Sequence, residues 1–269
     1  MGEAAGLAYR EAGDAGAPAV LFVHGYPESS FMWRHALDAV AAAGWRGLAP
    51  DLAGFGDSEP PDEPATWEYH VEALERWRRA LGLDDVVLVT HDWGVLVGLR
   101  WACDNPGAAS AVVISDGAFF ADRRWHDFAD VMRTPGEGEK LVSGFTREGL
   151  EGMLAQLSPG MGPDAFAEYW KGFASERRRR GHLEMYRSGD FSKLEPYEGC
   201  VAALDVPVLV MWGGDDRFSS ARMADRYVKE IPGAERVVFD GVGHFIWEDE
   251  PDATSGALVD FLERRVSTA

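Results

Sequence analysis

The chain has 269 residues, and 26 Lys and Arg against 45 Asp and Glu give it a formal net charge of −19. A surface this acidic repels phosphate groups, which excludes nucleic acids and anionic membrane surfaces as expected partners. Hydrophobic residues make up 46% of the chain, so disorder is excluded and the composition suits one large domain or a domain with an insertion.

The cysteine content points to a reducing compartment. Cys103 and Cys200 are the two cysteines, too few for a disulfide framework, and no Cys or His cluster has the spacing of a metal site. The first residues lack the charged and apolar regions of a secretion signal, and no apolar run is long enough to cross a membrane. We therefore expect a soluble, cytoplasmic protein with no bound metal.

Short apolar runs recur along the chain, each bounded by Gly, Pro or Asp. They cover residues 19–25, 46–52, 86–92, 111–116, 208–214 and 235–241. Runs of this length, rich in Val and apolar on both faces, are typical of buried parallel strands. Segments of helical period lie between the early runs, as in Leu96, Leu99 and Cys103. The alternation predicts an α/β fold with a mostly parallel, doubly wound sheet.

One long segment, residues 118–198, interrupts this alternation. It has no convincing strand and carries helical patterns over 119–133, 147–157, 164–173 and 177–186. We expect a helical cap over the carboxyl edge of the sheet, where open α/β sheets bind ligands. The core would then comprise residues 1–117 and 199–269. The basic run at 177–180 is interpreted as a solvated helix face.

Asp92 is the residue with the clearest chemical interpretation. It lies where a strand runs directly into a helix, and Thr90 and Gly94 are small residues flanking the turn. Such an elbow projects its central side chain above the sheet. A carboxylate there can attack an electrophilic carbon and form an ester intermediate. The alternative is that Asp92 only caps the following helix.

His244 follows the last predicted strand and Asp216 follows the one before it. The chain order is therefore nucleophile, acid, histidine, the order that accompanies a nucleophile elbow. We expect Asp92 to attack, His244 to take a proton from water, and Asp216 to orient the imidazole. Asp215 is a second choice for the acid, and Asp116, at the end of the strand before the cap, is a competitor.

The loop His24-Gly25-Tyr26-Pro27 follows the first strong strand. In sheets that carry a nucleophile elbow, such a loop supplies one backbone N–H to the oxyanion hole, and the residue after the nucleophile supplies another. The amides of Tyr26 and Trp93 are therefore the predicted donors. His24 is expected to be structural.

Five segments carry a family resemblance: HGYPESSFMWR, DLAGFGDSEPP, VTHDWG, WGGDD and GVGHF. Together, and in this order, they resemble the α/β-hydrolases that use an aspartate nucleophile, the branch of epoxide hydrolases and haloalkane dehalogenases. The resemblance spans nearly the whole chain. It implies an α/β-hydrolase fold, a cap over the active site, no cofactor, and a small organic substrate that reacts with water.

Epoxide hydrolysis and haloalkane hydrolysis differ in the side chains that contact the leaving atom. The resemblance to dehalogenases implies that Trp93 donates an N–H to a halide, with Trp125 as the second donor unless it only fills the interface between cap and core. The Asn that some dehalogenases use is replaced by Tyr26. The resemblance to epoxide hydrolases implies instead that Tyr186 is the acid that protonates the epoxide oxygen, with Tyr169 as a weak candidate for a second.

Haloacetates are disfavoured, because the resemblance to haloacetate dehalogenases implies an Arg where Trp93 stands, and because the chain is strongly acidic. We therefore expect hydrolysis of small neutral apolar epoxides to diols through an ester on Asp92. The alternative is a haloalkane dehalogenase with the same triad. A remote alternative is a ligand-binding protein without catalysis, which would have no need for a complete triad.

Overall fold

The computed structural model describes residues 1–266. Its centre is an eight-stranded sheet with the order β1-β2-β4-β3-β5-β6-β7-β8. The strands are β1 (Gly2–Ala4), β2 (Leu7–Ala12), β3 (Ala19–Val23), β4 (Arg46–Pro50), β5 (Val86–His91), β6 (Ala109–Ser115), β7 (Val208–Gly213) and β8 (Glu235–Phe239). Strands β3 to β8 pair in parallel, whereas β1 with β2 and β2 with β4 are antiparallel.

The six predicted strands correspond to β3 to β8, and the predicted α/β fold with a mostly parallel sheet is confirmed. The central strands β5 and β7 are buried along their whole length, as expected for strands covered on both faces. The hairpin of β1 and β2 was not predicted. Its strands lie at the edge of the sheet, and β2 contains Arg10 and Glu11 in an incompletely buried run, so it lacks the continuous apolar signal.

Helices cover both faces of the sheet, with α1 packed on α12 and α2 packed on α3. The core helices are α1 (Arg34–Ala42), α2 (Trp67–Ala80), α3 (Trp93–Asp104), α9 (Cys200–Ala203), α10 (Arg222–Glu230), α11 (Ile246–Asp249) and α12 (Pro251–Arg265). No helix within residues 1–266 is both long and apolar enough to cross a membrane.

The segment between β6 and β7 is helical. It contains α4 (Asp127–Arg133), α5 (Glu137–Gly144), α6 (Arg147–Leu157), α7 (Pro163–Trp170) and α8 (Glu176–Ser188), with short 3-10 turns between. Helix α5 was not predicted because its two large apolar residues, Leu141 and Val142, are adjacent and show no helical period. The first helix begins at Asp127 rather than at Phe119. The division of core and cap at 118 and 198 stays a prediction.

The arginine run of α8 is not simply solvated, contrary to expectation. Arg178 is buried, and its guanidinium donates to the carbonyl oxygens of Gly54 and Gly56 at 3.1 Å each. It also pairs with Glu59. Because Gly54, Gly56 and Glu59 belong to the loop after β4, Arg178 ties the cap to the core.

Cys103 and Cys200 form a disulfide, with their Cα atoms 6.0 Å apart. The expectation of two reduced cysteines is therefore wrong for this structure. The two residues are separated by 97 positions in sequence, and only the packing of α3 against α9 brings them together.

Candidate active site

Asp92 occupies the sharp turn between β5 and α3. Its backbone has φ 49° and ψ −117°, and its side chain makes no capping hydrogen bond to α3. Helix capping therefore does not explain this residue. A positive φ is uncommon for a residue other than Gly and stores strain that is typical of functional sites. The turn also needs Gly94, because a Cβ atom there would lie 2.1 Å from the carbonyl oxygen of Val23.

The loop after β3 contacts the Asp92 carboxylate directly. The Tyr26 amide donates a hydrogen bond of 2.8 Å to Oδ1 of Asp92. Gly25 permits this approach, because a Cβ atom there would lie 2.5 Å from Cβ of Asp92. Trp93 opens α3, and the first N–H groups of a helix have no acceptor within the helix. Both predicted amide donors thus lie beside Asp92.

His244 lies between two carboxylates. Its Nδ1 is 2.8 Å from Oδ2 of Asp216, and its Nε2 is 3.5 Å from Oδ2 of Asp92. The other oxygen of Asp216 accepts from the backbone amides of Phe218 and Ser219, at 2.7 and 2.9 Å. These bonds fix the carboxylate that holds the imidazole. The structure therefore brings together the three residues predicted as a triad.

The two alternative acids differ in position, because Asp116 lies within 4.8 Å of Asp216 and His244 and Asp215 does not belong to that cluster. Asp215 is exposed, whereas Asp216 is buried. Asp116 is buried, and its Oδ1 accepts from the amide of Gly213 at 2.8 Å. Burial, and then the negative charge of Asp216, raise the pKa of Asp116 well above its usual range. A carboxyl group that stays protonated is poorly suited to stabilise an imidazolium.

The Asp92 and His244 side chains stabilise each other's charge. Burial alone would raise the pKa of Asp92, but the hydrogen bond and charge of His244 outweigh it and lower the pKa to about 2. Burial alone would lower the pKa of His244, but Asp216 and Asp92 raise it well above 6.5. Before reaction, the site therefore holds an ionised nucleophile next to an imidazolium.

A cavity of about 40 Å³ separates Asp92 from the cap. Its walls are mostly apolar and consist of Tyr26, Pro27, Asp92, His126, Phe128, Met153, Leu154, Leu157, Tyr186, Phe218, His244 and Phe245. His126, Phe128 and Phe218 were not singled out from the sequence, because isolated aromatic residues carry no signal there.

Tyr186 is the predicted acid that lies in this cavity. Burial, and then the charge of Asp92, raise its pKa well above 10. The phenol is therefore neutral and carries a proton next to the nucleophile. Tyr169 does not share this position, because its hydroxyl donates to Glu248. Tyr169 is thus not free to serve a leaving group, and its assignment as a second acid is wrong.

The two indoles considered for a halide are close together. The rings of Trp93 and Trp125 stack at 5.4 Å with an interplanar angle of 22°, and both line a second small cavity that reaches Asp92. Nε1 of Trp125 is buried and has no hydrogen-bond partner within residues 1–266. Because the rings are nearly parallel, their N–H bonds lie in nearly parallel planes.

His24 is held by the backbone on both sides of its ring. Nδ1 lies 2.8 Å from the carbonyl oxygen of Gly25, and Nε2 accepts from the amide of Leu52 at 2.9 Å. No nitrogen of this ring is left for a substrate, in line with the structural role expected from the sequence.

Comparison with known proteins gives one family and two enzyme names. A family model described as alpha/beta hydrolase fold matches residues 18–251. A haloalkane dehalogenase of Mesorhizobium japonicum is 29% identical, over 95% of this chain and 87% of the relative. Epoxide hydrolase A of Mycobacterium tuberculosis is 26% identical, over 94% of this chain and 92% of the relative.

Solved structures give the same result. A haloalkane dehalogenase from Bradyrhizobium elkani matches with a TM-score of 0.82 and 26% identity, over 96% of this chain and 94% of that chain. The similarity therefore includes the helical segment between β6 and β7 as well as the sheet.

Proposed function

Because the chain belongs to the alpha/beta hydrolase fold family, and is an enzyme similar to epoxide hydrolases and haloalkane dehalogenases, we propose that it hydrolyses small neutral epoxides to diols through an ester on Asp92. The observation that carries this choice is the neutral phenol of Tyr186 in the cavity beside the Asp92 carboxylate. Opening an epoxide produces an alkoxide, which needs a proton, whereas a halide needs only hydrogen-bond donors.

In the first step, an oxygen of Asp92 attacks one epoxide carbon and the bond from that carbon to oxygen breaks. The departing oxygen takes the proton of Tyr186. The products are a neutral ester on Asp92 and a phenolate. This step uses Asp92 in its ionised form, which its pKa of about 2 ensures at neutral pH.

In the second step, water attacks the carbonyl carbon of the ester and His244 takes a proton from that water. The amides of Tyr26 and Trp93 stabilise the oxyanion of the tetrahedral intermediate. Its collapse releases the diol and restores the Asp92 carboxylate. Between the two steps the imidazolium of His244 gives up its proton and the Tyr186 phenolate takes one up through solvent. The proton that His244 then takes from water restores the imidazolium, so the site returns to its starting state.

The charge change at Asp92 makes His244 available as a base. In the free enzyme, Asp92 and Asp216 together raise the pKa of His244. Esterification removes the charge of Asp92, so one of the two groups that hold the proton on the imidazole is lost. The pKa of His244 then falls, and the imidazole can act as a base while Asp216 continues to orient it.

Haloalkane hydrolysis is the second candidate, and one observation favours it. Nε1 of Trp125 is buried without a partner beside Trp93, so the site offers indole donors to a departing halide. Asp92, His244 and Asp216 would act as in the epoxide reaction. A ligand-binding protein without catalysis is the remote alternative.

A paired assay tests the choice. The protein is incubated with styrene oxide and, separately, with 1,2-dibromoethane, and diol and bromide are measured. We expect diol release that Asp92→Asn abolishes and that Tyr186→Phe lowers by roughly 10²-fold or more. Tyr186→Phe should leave any bromide release largely intact. Bromide release without diol formation would establish the dehalogenase instead, and no release from either substrate would favour a binding role.

The proposal includes a cytoplasmic location and the core and cap division at residues 118 and 198. Disulfides rarely persist in the cytoplasm, so this location requires Cys103 and Cys200 to be reduced there. Alkylation of free thiols in fresh cell extract, followed by mass spectrometry, tests the location. Two labelled cysteines are expected, and two unlabelled ones would argue for an oxidising compartment.

A further inference from the structure

The Cys103–Cys200 disulfide lies where the helical segment between β6 and β7 leads back to the sheet. Cys200 is the first residue of α9, which follows a 3-10 helix at Phe191–Tyr197 and precedes β7. We call residues 191–203 the return connection. Cys103 belongs to α3, the helix that begins directly after Asp92. The S–S bond therefore fastens the return connection to the helix that follows the nucleophile elbow.

Apart from this bond, exposed polar contacts tie the return connection to α2 and α3. The hydroxyl of Tyr197 donates to Oδ1 of Asp104 at 2.8 Å, and Nζ of Lys193 donates to Oε1 of Glu68 at 2.8 Å. The Lys193 and Glu68 side chains are 40% and 36% exposed. Because solvent screens such contacts, each contributes little to holding the connection in place.

A cavity of about 220 Å³ lies between the return connection and the core. Three side chains of the connection are buried, Phe191, Leu194 and Val201. Leu194 and Val201 border this cavity, so on that side they lack the van der Waals contacts that a filled core supplies. The covalent S–S bond is therefore the firmest restraint on the connection.

The return connection also forms part of the wall beside Asp92. Phe191 packs on Trp125 with ring centroids 4.5 Å apart, and Trp125 stacks on Trp93 at 5.4 Å. All three aromatic residues line the second small cavity that reaches Asp92. A continuous set of contacts therefore leads from the disulfide, through the return connection, to the wall of the site.

We propose that Cys103 and Cys200 are a reversible redox latch, and that the oxidised form binds substrate more tightly. In the oxidised form, the S–S bond restrains the return connection and holds Phe191 against Trp125. In the reduced form this restraint is lost, and the aromatic wall of the site is less ordered. A preorganised wall binds substrate more tightly, because less conformational freedom is lost on binding.

The latch closes by thiol–disulfide exchange with a small disulfide such as glutathione disulfide. One protein thiolate attacks a sulfur of that disulfide and releases the first glutathione thiol. The other cysteine then attacks the mixed disulfide and releases the second. The two protein thiols lose two electrons and two protons, and the two glutathione sulfurs gain them. Cys103 and Cys200 are only partly buried, so a small disulfide can reach them.

This inference rests on the proposed epoxide hydrolysis and gives it a form of regulation. Epoxides are formed by oxidation of alkenes, so an enzyme that binds its substrate more tightly under oxidising conditions would act where that substrate arises. The latch is also compatible with the proposed cytoplasmic location, where thiols are mostly kept reduced. There the latch would be open until an oxidant closes it.

The test compares the protein equilibrated with glutathione disulfide and the protein reduced with dithiothreitol. KM and kcat are measured with styrene oxide, and amide hydrogen exchange is measured over residues 191–203. We expect the oxidised form to have a KM lower by about threefold or more and slower exchange in the return connection. The double variant Cys103→Ser, Cys200→Ser should match the reduced protein under both treatments.

Phe191→Leu tests the route from the disulfide to the site. Because this change weakens the contact with Trp125, the variant should lose most of the difference in KM between the oxidised and reduced forms. Phe145→Leu is the matched control. Phe145 packs on Phe173 in another part of the helical segment, so this variant should keep the difference.

Several results would overturn the latch. These are an equal KM in the two forms, a lower KM in the reduced form, a double variant that still responds to the oxidant, and a Phe191→Leu variant that keeps the full difference. A melting temperature that falls on reduction while KM stays constant would show that the disulfide is purely structural.

The same measurements separate the latch from the proposed function. If neither redox form produces diol from styrene oxide, the epoxide proposal fails, and hydrogen exchange still decides whether the bond restrains the return connection. If both forms produce diol with the same KM, only the latch fails.

Discussion

Nδ1 of His244 lies 2.8 Å from Oδ2 of Asp216, and two backbone amides hold the other oxygen of this carboxylate. The imidazole therefore presents Nε2 toward Asp92. This relationship supports the proposal that Asp216 is the orienting acid.

Asp216→Asn should lower the rate of ester hydrolysis by roughly 10³ to 10⁴-fold, because the imidazole loses the charge that stabilises it and the acceptor that fixes its tautomer. Steady-state diol release from styrene oxide measures the effect. Asp215→Asn is the matched control and should keep the full rate, since Asp215 is exposed. Equal losses in both variants would contradict the assignment.

Asp116→Asn should change the rate by less than about threefold, because the raised pKa of Asp116 already makes this carboxyl neutral and an amide preserves its shape and polarity. The same assay applies. If Asp116→Asn were as damaging as Asp216→Asn, the charge on Asp116 would matter and the acid would have to be reassigned.

Ester formation and ester hydrolysis should depend differently on pH. Formation needs ionised Asp92, whose pKa is about 2, so its rate should stay constant from about pH 5 to 8. Hydrolysis needs neutral His244 in the ester form. The pKa of the imidazole is lower there because the charge of Asp92 is lost, but Asp216 still raises it, so the rate of hydrolysis should rise with pH. Stopped-flow tryptophan fluorescence should therefore show the ester accumulating at acidic pH. A constant ratio of the two rates would contradict the role of His244 as base.

The ion pair of Arg34, at the start of α1, and Glu248 should contribute strongly to the free energy of unfolding. Nη1 and Nη2 of Arg34 each donate to one carboxylate oxygen of Glu248 at 2.8 Å, and the Glu248 side chain is fully buried. Arg34→Ala leaves a buried charge unpaired and should cost about 3–5 kcal/mol in the free energy of unfolding.

Urea denaturation measures that cost. Arg147→Ala is the control, because its pair with Glu151 is largely exposed and should contribute about 0–1 kcal/mol. Similar losses for the two variants would show that burial does not decide the strength of these pairs.

Much of the site could be predicted because parallel strands end at one edge of a sheet. Asp92 follows β5, Asp216 follows β7 and His244 follows β8, so their positions after apolar runs were enough to expect them together. The choice between Asp216 and Asp116 could not be made this way. Both follow strands at that edge, and only the hydrogen bonds separate their environments.

Contacts between distant segments were beyond sequence reasoning. The Cys103–Cys200 bond depends on how α3 packs against α9, and the burial of Arg178 depends on where the cap meets the loop after β4. Tyr169 has the residue type expected of an acid, but Glu248 engages its hydroxyl from a part of the chain 79 residues away. Residue type and helical period do not predict which distant residue a side chain will contact.

The central claim is that Asp92 forms the covalent intermediate. Substitution His244→Gln removes the base of the second step and should trap the ester when the variant is incubated with styrene oxide. Mass spectrometry of the intact protein and of its peptides is the most direct measurement. We predict one added substrate mass, located on Asp92. No adduct, or an adduct on another residue, would contradict the account.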